Sequence, residues 1–224
     1  MKDYSNQVQE LLNNPYRFSD VFKLEIPEID IIVNDPRYKE SILAEYLTTK
    51  SKPRDIAKLK EITHKHAQKY PKPDDNELVL HLRLGDAGWD QFNFIDELDK
   101  HIHKDQFSKI TVVTALHFGN RNENYSKSNY TEEGGITWKK PEHLTHAWNF
   151  LSKLENKINS IGYDLNIYSN KNIDQDICYI TQSNYFTPHF RRFSSLMLAL
   201  LNDKAQVLIV GEQAQQCLDV LSSY

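Results

Sequence analysis

The sequence predicts an α/β protein built on a parallel sheet with helices on both faces. Three observations carry this. Short apolar runs at 78–84, 110–116, 165–168 and 207–210 alternate with amphipathic stretches of helical period, the signature of repeated βαβ units. The runs are apolar almost throughout rather than at every second residue, as expected of strands covered on both sides. Hydrophobic residues make up 39% and charged residues 26% of the 224, a balance that supports a packed core and excludes a disordered chain.

The elements follow in order. Segment 24–33 (LEIPEIDIIV) has strand-like composition, but Pro27 confines its first half to an edge or a turn. Ser51-Lys52-Pro53 opens a helix in which Ile56, Leu59, Ile62, Ala67 and Tyr70 recur at helical spacing, and Pro71 and Pro73 end it. The PKPDDN stretch at 71–76 marks a boundary between a small, mainly helical N-terminal lobe (1–75) and a sheet domain (76–224). Within the latter, 78–84 is a strand, 95–102 a short helix and 110–116 a second strand. The stretch 117–140 is a polar loop. Pro141 begins a long helix with Leu144, Trp148, Leu151, Leu154, Ile158 and Ile161 on one face, closed by Gly162. Strands are expected at 165–168 and 177–181, a helix at 193–201, a buried strand at 207–210, and a closing helix from about Gln213.

Bulk properties narrow the function. The formal net charge of −4 argues against a general nucleic-acid binder, which needs clustered Lys and Arg for phosphate contacts. No apolar run approaches the roughly 18 residues of a membrane span, and the N-terminal MKDYSNQVQELLNN lacks the apolar stretch of a secretory signal. Cys178 and Cys217 are too isolated for a disulfide framework or a zinc site and read as buried thiols in a reducing compartment. A cytoplasmic protein is expected. His143 and His146 share a helix face but have no third ligand in view, and no Walker, dinucleotide-binding or GxSxG motif is present.

In parallel sheets of this kind ligands bind beyond the carboxyl ends of the strands, so the chemistry is sought in the loops beginning at Gly85, His117, Ser169 and Gly211. Strand alternation sets Leu78, Leu80, Leu82 and Leu84 on one face of the first long strand and Val79, His81 and Arg83 on the other. An Arg on a strand buried on both sides calls for an anion, either an internal carboxylate such as Asp86 or a bound ligand. Gly85 allows a sharp turn or a close backbone approach. Farther along, Phe193-Ser194-Ser195 sets hydroxyls at the start of a helix, where free backbone N–H groups favour phosphate or where a serine simply caps. Arg191 and Arg192 precede them, and His117 and Arg121 flank the loop after the second strand.

His81-Leu82-Arg83-Leu84-Gly85-Asp86 resembles the HxRxGD motif of the α-1,2-, α-1,6- and protein O-fucosyltransferases, glycosyltransferases of GT-B type that use GDP-fucose. Residues 174–201 resemble that group's later block at Asp176, Ser183, Phe193, Ser194 and Ser195, and the likeness covers roughly 77–211. The resemblance implies a Rossmann-like donor-binding half with a reduced N-terminal lobe on the acceptor side. It also implies metal-independent, inverting transfer of fucose or a related deoxyhexose from a GDP-sugar to a carbohydrate acceptor, with no cofactor. Arg83 would stabilise the leaving diphosphate, and Asp86 is a candidate base beside Asp90, Glu132 and Glu133. His81, Gly85, His117, Asp176, Phe193, Ser194 and Ser195 would line the donor site, while Trp89 and Trp138 could stack on sugars. The chain departs from the group in its length, in lacking the membrane anchor of animal members, which points to a bacterial or viral setting, and in having Leu196-Met197 where an aromatic pair is usual. A non-catalytic nucleotide or glycan-binding module and an α/β phosphate-ester hydrolase remain as alternatives.

Overall fold

The computed structural model describes residues 16–17, 56–85, 92–118, 141–168, 173–189 and 191–221. In chain order its elements are β1 (Tyr16–Arg17), α1 (Ile56–Ala67), β2 (Glu77–Gly85), α2 (Phe92–His101), β3 (Lys109–Phe118), α3 (Pro141–Ile161), β4 (Leu165–Tyr168), α4 (Ile173–Thr181), β5 (Tyr185–Thr187), α5 (Arg191–Leu200), β6 (Gln206–Val207) and α6 (Gly211–Leu221). All strand pairings are parallel, in the order β4-β3-β2-β5-β6, and β1 extends the β4 side of β3 by pairing Tyr16 with His117. The α/β class expected from the sequence is therefore present, in Rossmann-like strand order.

The order has a physical consequence. From β2 the chain steps outward through β3 to β4, then returns across the sheet to β5 and β6. Crossovers between parallel strands are right-handed, so reversing the direction moves the connecting helices to the opposite face. On one face, α2 and α3 bury Phe94, Ile95, Leu98, Phe150, Leu154 and Ile158 against Leu78, Leu80, Leu82 and Leu84. On the other, α1, α4 and α5 bury Leu59, Ile62, Ile177 and Met197 against Val79, Val113 and Phe186. The alternation expected along β2 holds. Each large side chain so buried contributes about 1.5–3 kcal/mol, and these two layers are what hold the sheet. Helix α1, which precedes the 71–76 stretch, contributes Leu59, Ile62 and Ala67 to the second layer.

Two expectations need correction. The segment 177–181 is not a strand but the second half of α4. An apolar run as short as Ile-Cys-Tyr-Ile fits a strand or a buried helix equally well. The segment is helix here and is buried nearly all round, from Asp174 through Thr181, so no polar face reveals its period in the sequence, while Asp174 and Asp176 occupy the first turn, where carboxylates suit the helix dipole. The strand comes next, at Tyr185–Thr187, after the Ser183 hydroxyl donates back to the Ile180 carbonyl at 2.7 Å. Farther on, the expected strand at 207–210 is only Gln206–Val207, with Leu208 N–H still donating to the Phe186 carbonyl at 2.9 Å. The long helix ends as expected: Gly162 has φ +101°, a conformation a side chain resists.

The amino edge of the sheet is closed by charge. Glu77 and Lys109 face each other in register at the starts of β2 and β3. The fully buried Glu77 carboxylate meets Lys109 Nζ at 2.9 Å and accepts hydrogen bonds from the Tyr179 hydroxyl at 2.6 Å and the Asp74 amide at 3.0 Å. Burial opposes its ionisation, but these donors outweigh it and hold the carboxyl below the usual range. Replacing Lys109 by Met would leave a buried carboxylate short of its counter-charge. The expected cost is about 2–3 kcal/mol, below the value for a fully buried pair because Lys109 is partly in water, as measured by urea unfolding at pH 7.

Candidate functional site

Strands β2 and β5 are neighbours in the sheet, but the chain leaves them in opposite directions, β2 toward β3 and β5 toward β6. This is the topological switch point, where the helices that follow the two strands start on opposite faces and leave a crevice at the carboxyl edge. Leu80 is in register with Thr187, the last residue of β5, so β2 runs on alone along this side through His81, Leu82, Arg83, Leu84 and Gly85. Opposite them Pro188 and His189 lead into α5.

Where β2 outruns β5, two histidines and a serine are packed together. His81 is buried on the α5 side, with its Nδ1 at 2.7 Å from the Ser194 hydroxyl and its ring centroid 4.9 Å from that of Phe193. The same hydroxyl accepts the His189 backbone N–H at 3.4 Å. The His189 ring is fully buried toward the other layer, edge-on to Phe94 at 4.6 Å and near Phe150 at 6.1 Å. Burial first, and then the proximity of His81, push the His189 imidazole down to about 3. At neutral pH it is an uncharged aromatic polar group.

The sequence-derived site residues do not all come together. His81, Phe193 and Ser194 converge in the crevice. Arg83 and Gly85 lie on the same strand end, paired in register with Ala115 and His117 of β3, so the backbone of His117 stands one strand away at the same edge. Ser195 turns elsewhere: it is fully buried and its hydroxyl meets Cys217 of α6. Asp176 belongs to the first turn of α4, which starts beyond the carboxyl end of β4. Its side chain is 8% exposed, one carboxylate oxygen has no hydrogen-bond partner, and burial raises its pKa well above the usual range. Asp86, Trp89, Asp90, Arg121, Glu132, Glu133 and Trp138 lie outside the described residues.

Helix α5 begins at Arg191, two residues before the start expected from the sequence. Ser194 is thus its fourth residue, a position whose side chain packs inward rather than capping the end. His189 was not anticipated. The signal for it, a Thr-Pro-His step after a strand, becomes readable only once the strand is placed at Tyr185–Thr187. Both cysteines are buried free thiols. Burial, aided for Cys178 by Asp174, pushes them up to about 12 and about 11, so neither is a ready nucleophile. Among the described residues no three His, Cys, Asp or Glu side chains gather as a metal site, and no helix is long and apolar enough to cross a membrane.

The chain matches no protein-family model, no curated protein and no solved structure.

Two outcomes follow from the buried titratable groups. His189 is neutral when folded and binds a proton below about pH 6.5 when unfolded, so acidification favours the unfolded chain. Between pH 7 and 5 the wild type is expected to lose about 2 kcal/mol more stability than His189→Gln, as read from urea unfolding at both pH values. Asp176 has the opposite sign. Its folded pKa is raised, so the stability it contributes is complete below the ordinary carboxylate pKa and is lost as pH rises above it. Asp176→Asn should therefore match the wild type in the same assay near pH 4 and exceed it at pH 7, by at most about 1.4 kcal/mol for each pH unit over which the folded carboxyl stays protonated.

Proposed function

We propose that the chain is a glycosyltransferase of GT-B type that moves a sugar, fucose or a related deoxyhexose, from a GDP-sugar to a carbohydrate acceptor. The observation that carries this reading is the meeting of two sequence blocks. His81, in the segment that resembles HxRxGD, is hydrogen-bonded to Ser194, in the segment that resembles the later block, although 113 residues separate them. They meet at the carboxyl edge of the sheet, at the switch point where nucleotides bind in α/β folds. A chance likeness in either segment would not require the two to share a crevice.

In the proposed reaction the acceptor oxygen attacks the anomeric carbon, the bond from that carbon to the diphosphate oxygen breaks, and the acceptor proton passes to a carboxylate. Asp86, next to the motif, is the first choice for that base, with Asp90, Glu132 and Glu133 as the others. Charge accumulates on the departing GDP. Arg83 is permanently protonated and stands at the strand end, so it is the group assigned to stabilise that charge. Such catalysis needs no metal.

Calorimetric titration of GDP, GDP-fucose, UDP and ADP into wild type and Arg83→Ala tests the reading. The expected result is selective binding of the two guanine nucleotides. Loss of a charge-assisted contact should weaken it by about ten- to a hundredfold in the variant. If no nucleotide binds, or if Arg83→Ala binds as wild type does, the donor-site assignment fails. Release of inorganic phosphate rather than GDP would point instead to a phosphate-ester hydrolase.

A further inference from the structure

We propose that His189 is a positioning residue: its ring, seated in the leucine-face layer against Phe94, fixes the backbone N–H that reaches Ser194, and so ties the start of α5 to the helix that follows β2. Strand β5 ends at Thr187 and α5 begins at Arg191, so the turn between them is short. Pro188 has no N–H and a fixed φ, which makes the N–H of His189 the first backbone donor beyond the strand. It donates to the Ser194 hydroxyl at 3.4 Å. A bond of that length is weak unless the donor is held in line. The same hydroxyl lies 2.7 Å from His81 Nδ1 on β2. At Ser194, therefore, the turn, the helix and the strand meet.

The ring of His189 leaves the turn toward the other side of the sheet. It is fully buried, edge-on to Phe94 with ring centroids 4.6 Å apart and planes at 65°, and Phe150 stands at 6.1 Å. Both phenylalanines belong to the layer that packs on Leu78, Leu80, Leu82 and Leu84. Ser194's neighbour Phe193 packs instead with the layer formed by α1, α4 and α5. His189 thus joins the two layers, with its ring in one and its backbone N–H bound to the other. Edge-to-face packing fixes direction as well as distance, so a turn anchored at both points cannot pivot about the end of β5. Phe94 is the third residue of α2, the first described helix beyond the segment that resembles HxRxGD. Through His189 the starts of α2 and α5, which leave the switch point on opposite faces, are held in one geometry.

Direct contact with a ligand suits this ring less, since it faces a packed apolar layer and has no exposed surface. Its consequence for the donor site rests on the reading above: a cradle between β2 and α5 works best when the two are fixed before the nucleotide arrives.

Amide hydrogen exchange of the ¹⁵N-labelled full chain without nucleotide tests the tie, with the protection of the His189 amide expressed relative to that of Val113, in the interior of β3. In the wild type the His189 amide should be protected although it belongs to no strand or helix. Phe94→Leu should lower that relative protection about two- to tenfold, the range expected for loss of an edge-on aromatic contact. Ile158→Val, a loss in the same layer near the end of α3, should leave it unchanged. In His189→Ala the amide of residue 189 should already be poorly protected, and adding Phe94→Leu should lower it no further. An unprotected His189 amide in the wild type overturns the proposal. So does a Phe94→Leu effect that is absent, that Ile158→Val matches, or that persists in full in the His189→Ala background. The wild type, Phe94→Leu and Ile158→Val decide the matter should His189→Ala not fold. With no nucleotide in the experiment the two ideas fail separately: a chain that binds no GDP yet shows this pattern loses the glycosyltransferase reading and keeps the role of His189.

Discussion

Strand β2 lies between two neighbouring strands and under two helical layers, and its burial on both faces constrains nearly everything else. Its four leucines are at most 3% exposed, and Val79 is fully buried on the opposite face. A strand in that position has no solvent to receive its polar side chains, so each one it carries needs a partner in the fold or a ligand. The helices are placed accordingly. Those that leave in one direction cover the leucine face, those that return cover the other, and the change of direction opens the crevice at the strand's end.

The two ends of β2 meet the constraint differently. At the amino edge Glu77 is fully served from inside, by Lys109, Tyr179 and the Asp74 amide, and stays ionised despite burial. Nothing there is left over for a ligand, and the arrangement reads as structural. At the carboxyl edge burial acts against charge instead. His189 is kept uncharged beside Phe94 and Phe150, and burial raises the pKa of Asp176, one of whose oxygens has no hydrogen-bond partner. A carboxyl with a raised pKa costs stability as pH rises above the ordinary carboxylate range, and such costs collect where a fold serves something other than its own stability.

How much of this could be read from the sequence depended on whether local signals spoke for themselves. Strands β2 and β3 were readable because each has seven or more apolar-rich residues. Helix α3 was readable because Pro141 and Gly162 punctuate a sustained helical period. The failures cluster between Ile173 and Thr187, where a nine-residue helix precedes a three-residue strand and neither is long enough for its period to emerge. That one exchange hid His189, which acquires meaning only as the residue beyond the end of β5. It also left Ser194 looking like a helix cap. Its bond to His81 is tertiary and leaves no trace in the residues around either partner.

The N-terminus of α5 completes the electrostatic picture. Its first two residues are Arg191 and Arg192, and its first turn holds no carboxylate. Cations there oppose the helix dipole, each at a cost of about 0.3–1 kcal/mol. Asp or Glu suits this position, as in α4 with Asp174 and Asp176 and in α6 with Glu212. The inversion falls on the helix that carries Ser194, next to the neutral His189. A diphosphate occupant would turn that local cost into a favourable interaction, the arginines and the dipole then acting together on one anion. A fold selected for stability alone would gain by replacing either arginine with a carboxylate. Keeping both is understandable if, as proposed, the chain binds a diphosphate.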